Sequence, residues 1–215
     1  MNYQELHKDK IQEVPGGTLC QVFGDKEKAS CSLALVHMNE NSNGVRHYHN
    51  DITEIYLFSK GKGSININGN INEINDGDCY IIPPNNIHYI ESNEEMDFAC
   101  ICTPPWIESK EFAVNEEIKG ENIIKTEITG TLQKLSDKEE HEIRLYETSN
   151  EFITSNNMKN YKRVYYFIKG EGIFQIDDKE YPIKSNICYE VNEETNEIII
   201  PKTELKFVVV CDDLK

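Results

Sequence analysis

Arginine is nearly missing from this chain: Arg46, Arg144 and Arg163 are the only three in 215 residues, against 38 aspartates and glutamates and a net charge of −16. A surface this acidic repels phosphate backbones and anionic lipids, so neither nucleic acid nor membrane is expected as a partner. Long apolar runs are missing from the N-terminal region, which is broken by Glu5, Lys8, Asp9, Lys10 and Glu13. With no signal sequence or span there, a cytoplasmic location is expected. Cys-x-x-Cys pairs are lacking too. The seven cysteines, at positions 20, 31, 79, 100, 102, 188 and 211, are odd in number, which argues against a disulfide framework or a zinc ribbon. Several stand in apolar runs, as in Ala99-Cys100-Ile101-Cys102 and Val210-Cys211, where a thiol serves as a small buried hydrophobe and not as a nucleophile.

What the chain does have is a dense stretch of chemistry from Gly44 to Gly63. His47 and His49 are one residue apart, so on a strand their imidazoles share a face and converge. Glu54 follows five residues later, an odd offset that would aim it at the other face of a straight strand. Asn50 and Asp51 are turn formers, and a bend there lets Glu54 open a new strand, 54–58, on the same side. Downstream, His88 follows Gly77, Asp78 and a Pro83-Pro84-Asn85-Asn86 turn and supplies a fourth ligand. Three imidazoles and one carboxylate suit one divalent transition metal, Fe, Mn, Ni, Co, Cu or Zn.

These residues resemble the cupin superfamily. Gly44, His47, His49, Glu54 and Gly61 match the ligand part of its first motif, although Gly44 stands closer to His47 than usual. Gly77, Pro83 and His88 match the second motif at the usual spacing. Asn85 stands where that family often has glycine and Ser92 where it often has asparagine; neither is a ligand, and asparagine tolerates a left-handed backbone.

Short β-type runs at 18–23, 31–38, 54–58, 64–67, 79–82, 87–90 and 96–102 are separated by turn clusters such as Asn41-Ser42-Asn43-Gly44 and Asn75-Asp76-Gly77-Asp78, a pattern of closed barrels and sandwiches. Thr103-Pro104-Pro105-Trp106 then breaks the rhythm, and 108–119 is charged and mildly helical. The expected organisation is an N-terminal lead-in over 1–17, a metal-binding barrel over 18–103, a linker over 104–125 and a second barrel over 126–215. Trp106 is read as part of a strap between barrels, with a lid over the first cavity as the alternative.

Beyond the linker the first half returns at a constant offset of 109 residues: Gly61 and Gly63 as Gly170 and Gly172, Tyr56 and Phe58 as Tyr165 and Phe167, Cys79-Tyr80 as Cys188-Tyr189, Phe98 as Phe207. The chain thus resembles a bicupin: all-β, two tandem jelly-roll barrels joined by a short linker or helix. The offset places Asn156, Met158, Arg163 and Glu197 at the positions of His47, His49, Glu54 and His88. No metal is expected on such a set. Arg163 and Glu197 inherit inward positions and are expected to pair, because a buried charge needs a partner.

If Glu54 and His88 point inward, strand parity brings Tyr56, Phe58 and Ile90 with them as candidate pocket walls. Arg46 and Tyr48 flank the ligands and should point away from the ion. No general base stands out; His37 is read as structurally satisfied. The resemblance implies a metal-dependent enzyme acting on a small oxygenated molecule, of dioxygenase or sugar or keto-acid isomerase type, with a non-enzymatic ligand-binding or sensory protein carrying a structural metal as the alternative. Oxalate-decarboxylating bicupins resemble one another in keeping both sites intact, which this chain does not. The expected partner is a small-molecule substrate or ligand, with a homodimer left open.

Overall fold

The structure is a computed structural model describing residues 8–24, 30–114, 133–136, 141–153 and 161–212. They divide into a front and a rear unit.

The front unit contains β1 (Ile11–Val14), β2 (Gly17–Phe23), β3 (Ser32–Met38), β4 (His47–His49), β5 (Thr53–Lys60), β6 (Gly63–Ile67), β7 (Asn70–Ile74), β8 (Cys79–Ile82), β9 (His88–Ser92), β10 (Met96–Thr103) and β11 (Glu111–Ala113). They form a six-stranded sheet, β1-β2-β3-β10-β5-β8, and a five-stranded one, β11-β4-β9-β6-β7. Alternating burial along β6 and β9 shows one wet and one dry face per strand. Tyr56, Phe58, Ile65, Ile74, Tyr80, Ile90, Met96 and Phe98 form the core.

The rear unit contains β12 (Gln133–Ser136), β13 (His141–Thr148), β14 (Phe152–Ile153), β15 (Lys162–Lys169), β16 (Gly172–Ile176), β17 (Lys179–Ile183), β18 (Ile187–Val191), β19 (Glu197–Pro201) and β20 (Leu205–Asp212). Its sheets run β12-β13-β20-β15-β18 and β14-β19-β16-β17, around a core of Tyr165, Phe167, Phe174, Tyr189 and Phe207. Strand pairs are antiparallel throughout the described residues, and α-helix is absent from them. No helix among them is long and apolar enough to cross a membrane. The fold is all-β, two tandem jelly-roll barrels.

The internal repeat is visible strand by strand. β5, β6, β7, β9 and β10 begin 109 residues before β15, β16, β17, β19 and β20. Even the irregularities match. The register of β10 on β5 slips at Asp97/Phe98, and that of β20 on β15 slips opposite Phe167/Lys169, the corresponding place. Gly61 and Gly170 both take the left-handed φ, +96° and +97°; a Cβ would sit 2.4 Å from the Glu95 carbonyl oxygen at the first and 2.3 Å from that of Glu204 at the second.

Two sequence expectations need correction. Within the 1–17 lead-in, β1 pairs with β2, so residues 11–14 are a barrel strand. Within the 104–125 linker, the helix expected over 108–119 is a single 3-10 turn at Glu108–Lys110, followed at once by β11 paired with β4. The short strand β4 leaves backbone donors and acceptors on its outer edge, and covering them outweighs the weak helical preference of Glu111-Phe112-Ala113. The remainder of the expected linker, 115–125, lies outside the described residues, as do Asn156 and Met158.

Candidate metal centre

His47 and His49 lie on β4 in the five-stranded sheet, and His88 opens β9 beside them, with His47 and His88 as direct partners across the ladder. Glu54 lies on β5 in the six-stranded sheet. The bend at Asn50-Asp51 therefore does more than restore parity: it carries the chain across the unit, so that the carboxylate faces the imidazoles from the opposite wall. The end of β4 is pinned by the second motif, where Asn85, at φ +65°, donates its backbone N–H to the His49 carbonyl at 2.6 Å. Asparagine thus supplies the left-handed residue that the missing glycine would have given.

Glu54 Oε2 lies 2.6 Å from His88 Nε2, 3.5 Å from His49 Nε2 and 3.6 Å from His47 Nε2. Each imidazole is turned by its other nitrogen. Nδ1 of His47 meets the Val45 carbonyl at 2.8 Å, that of His49 the Lys110 carbonyl at 2.9 Å, and that of His88 the Asn86 carbonyl at 2.9 Å. A carbonyl only accepts, so each Nδ1 carries a proton, and a ring that is otherwise neutral offers its Nε2 lone pair to the centre. His49, Glu54 and His88 are buried, and His49 Nε2 and Glu54 Oε2 make no well-directed hydrogen bond, even though Oε2 lies 2.6 Å from His88 Nε2. Buried polar atoms without partners are costly, and two aimed at one point are what a bound cation satisfies. The donor set fits a divalent first-row metal on that ground.

The electrostatics agree. Burial raises the Glu54 carboxyl pKa, but His88 first and then the imidazoles of His47 and His49 that face it outweigh that and hold it well below the usual range. Burial opposes a charged His47, yet Glu54 pushes it up to about 8; His49 moves upward by the same balance.

Of the candidate pocket residues, Tyr56 reaches the centre: its hydroxyl lies 3.1 Å from His88 Nε2 and 3.5 Å from Glu54 Oε1. Burial first, and then Glu54, push its pKa well above 10, so the phenol stays a neutral donor. Phe58 packs edge-on to Tyr56 at 6.3 Å and is fully buried core; Ile90 belongs to the same cluster. Arg46 and Tyr48 turn outward, Arg46 over the Tyr89 ring at 4.5 Å and Tyr48 stacked on Phe112 at 5.2 Å. His37 is held by Asp97 at 2.8 Å on the neighbouring strand.

Two contributors had no sequence signal that was read as such. Lys110 acts through its backbone carbonyl on His49, and its ammonium pairs with Asp51 at 2.5 Å, while the Trp106 indole donates to Glu111 at 2.8 Å beside it. Cys100 and Cys102 bring their sulfurs within 3.5 and 3.7 Å of Glu54 Oε1.

In the rear unit the corresponding point is filled by protein. The Arg163 guanidinium, with no exposure, donates through Nε to Glu197 Oε1 at 3.1 Å and through Nη2 to the same oxygen. Its remaining donors reach the Asn192 carbonyl at 2.7 Å and the Tyr161 carbonyl at 2.5 Å. Tyr165, the counterpart of Tyr56, directs its hydroxyl at Glu197 Oε2, 3.4 Å away.

A double-sheet barrel of antiparallel strands is a jelly roll, and here it carries inward histidines and a facing carboxylate as a candidate metal site. Residues 34–104 match the family model described as a cupin domain. The front unit is a cupin domain, and the chain has the fold of the cupin superfamily. Among solved structures, the chain is similar to a cupin 2 conserved barrel domain protein from Leptotrichia buccalis (TM-score 0.67, 13% identity, covering 99% of this chain and 95% of that one). It is similar to protein Ylba from E. coli (0.63, 14%, 95% and 87%) and to oxalate decarboxylase from Bacillus subtilis (0.59, 11%, 100% and 76%). At these identities the likeness is one of fold. No curated protein sequence matches the chain.

Proposed function

We propose that the front barrel binds one divalent transition metal through Nε2 of His47, His49 and His88 and Oε2 of Glu54, and uses it on a small oxygenated molecule. The observation that carries this reading is the pair of buried atoms without a well-directed hydrogen bond, His49 Nε2 and Glu54 Oε2, aimed at the point where the other two ligands also converge. Such an ion supplies Lewis acidity to a substrate oxygen and, where redox-active, one-electron chemistry. The chain's own residues do the rest. Carbonyl-latched imidazoles keep the ligand shell from rearranging. The neutral Tyr56 hydroxyl holds a proton at Oη beside the ligands, and the apolar wall behind it limits water. Of the four ligands His47 keeps the most side-chain exposure, 14% against 1% to 4% for the others, so a small molecule would approach on its side.

The test is elemental analysis of the purified protein, followed by oxygen-consumption assays of the Fe(II)-loaded protein with a panel of small hydroxy, keto and dicarboxylic acids and sugars. Oxalate belongs in the panel because a structural neighbour is an oxalate decarboxylase. Oxygen uptake dependent on a substrate selects the dioxygenase branch; turnover without oxygen selects the isomerase or decarboxylase branch. The near-complete burial of His49, Glu54 and His88 also suits a structural ion in a ligand-binding protein. That second reading is supported if His88→Ala removes the metal and leaves every assayed conversion and ligand affinity unchanged.

A further inference from the structure

Glu54 has two oxygens, and they face different company. Oε2 faces the imidazoles; Oε1 faces two thiols. Cys100 and Cys102 alternate with Ile101 on β10, so both sulfurs project from the same face of that strand. The register of β10 on β5 sets Cys102 directly opposite Glu54 and Cys100 opposite Tyr56. The resulting triangle has edges of 3.5 Å (Cys100 Sγ to Glu54 Oε1), 3.7 Å (Cys102 Sγ to Glu54 Oε1) and 3.7 Å (sulfur to sulfur).

Those edges can be compared with a tetrahedral zinc shell. Zinc–sulfur bonds of about 2.3 Å and a zinc–oxygen bond of about 2.1 Å at tetrahedral angles separate two sulfurs by about 3.8 Å and a sulfur from an oxygen by about 3.6 Å. The three atoms of this chain already stand at that spacing. Cys102 is buried and Cys100 partly so.

We infer that Cys100, Cys102 and Oε1 of Glu54 form a second metal pocket, selective for a thiophilic d10 dication such as Zn(II) or Cd(II), separate from the imidazole site and sharing with it only the Glu54 carboxylate. Thiolates favour soft ions, whereas the imidazole–carboxylate set accepts harder ones such as Mn(II), so the two pockets sort ions by chemistry. The Tyr56 hydroxyl, 3.5 Å from Oε1, is a further neighbour of that oxygen and can donate to it whether or not the thiols bind an ion.

The experiment titrates the full-length protein, under reductant, with Cd(II) alone and with Mn(II) alone. Thiolate-to-cadmium charge-transfer absorption reads the first pocket, and the loss of free Mn(II) spin-resonance signal reads the second. The wild type is expected to develop a cadmium–thiolate band that saturates at one equivalent. The band is lost in Cys100→Ser/Cys102→Ser, whose Mn(II) uptake stays at the wild-type level; it persists in His47→Ala/His88→Ala, whose Mn(II) uptake is lost. Single Cys100→Ala and Cys102→Ala variants, each expected to weaken Cd(II) at least tenfold, keep the test decisive if the double variant fails to fold. A folded wild type with no band, or a band that survives replacement of both thiols, overturns the pocket and leaves the thiols as packing against Glu54. A band that disappears in the histidine variant overturns its separateness. Failure of the imidazole site reads differently: no Mn(II) uptake, with the cadmium band intact.

Discussion

At equivalent positions of two barrels related by one offset, the front unit carries Glu54 and His88 and the rear unit carries Arg163 and Glu197. Each has one buried carboxylate and one tyrosine hydroxyl turned toward it, Tyr56 at 3.5 Å in front and Tyr165 at 3.4 Å behind. They differ in where the positive charge comes from. The rear unit brings its own on Arg163, whose donors meet Glu197 and two backbone carbonyls. The front unit leaves Oε2 and a facing imidazole nitrogen without hydrogen bonds. On the proposed reading, one fold solves the problem of a buried carboxylate twice, once with a covalently attached cation and once with an exchangeable one.

The sharpest way to break the comparison is to remove one half of the rear pair. Arg163→Ala or Glu197→Ala strands a buried charge and should cost about 3–5 kcal/mol in urea unfolding, whereas Arg163→Met/Glu197→Leu, which removes both, should lie near the wild type. In the front, Mn(II) held at a thousandfold excess over its Kd should raise stability by about 4 kcal/mol in the wild type and by nothing in His49→Ala or His88→Ala, measured by the same unfolding curves.

Acidity offers a third probe. In the metal-free protein Glu54 lifts His47 from 6.5 to about 8, so the folded state binds that proton more tightly than the unfolded one. The contribution, of order 2 kcal/mol, is complete below pH 6.5 and is lost as pH rises through about 8. Thermal melting of metal-free protein should therefore fall across that window, and His47→Gln should reduce the fall, leaving the part that His49 contributes; an unchanged slope would contradict the balance described for this centre. The smallest effect is expected from the shared tyrosines. Tyr56→Phe and Tyr165→Phe should each cost about 1 kcal/mol, with Tyr56→Phe alone changing metal affinity.

Much of this was legible in the sequence because it rests on local rules. Alternation along a strand put His47 and His49 together, Asn50-Asp51 announced the bend before Glu54, and a gapless repeat carried the inward positions of one barrel onto the other. The pairing of Arg163 with Glu197 followed from the cost of burying either alone, and the structure shows them in contact. What escaped depends on register or on backbone. β11 is charged and helix-prone by composition and is a strand only because the edge of β4 needs a partner. The carbonyl of Lys110 that orients His49 is a group every residue has, so no side chain marks it. Cys102 is the buried small residue it reads as and Cys100 is partly buried, but their approach to Glu54 is set by the pairing of β10 with β5, which spacing in sequence does not reveal.

The difference between the barrels can be measured directly by anomalous diffraction from crystals grown with Mn(II), an ion that does not favour the thiol pair. A single strong peak is predicted, within about 2.3 Å of Nε2 of His47, His49 and His88 and of a Glu54 oxygen, with none beside Arg163. A peak in the rear barrel, or a front barrel without one, would contradict the account.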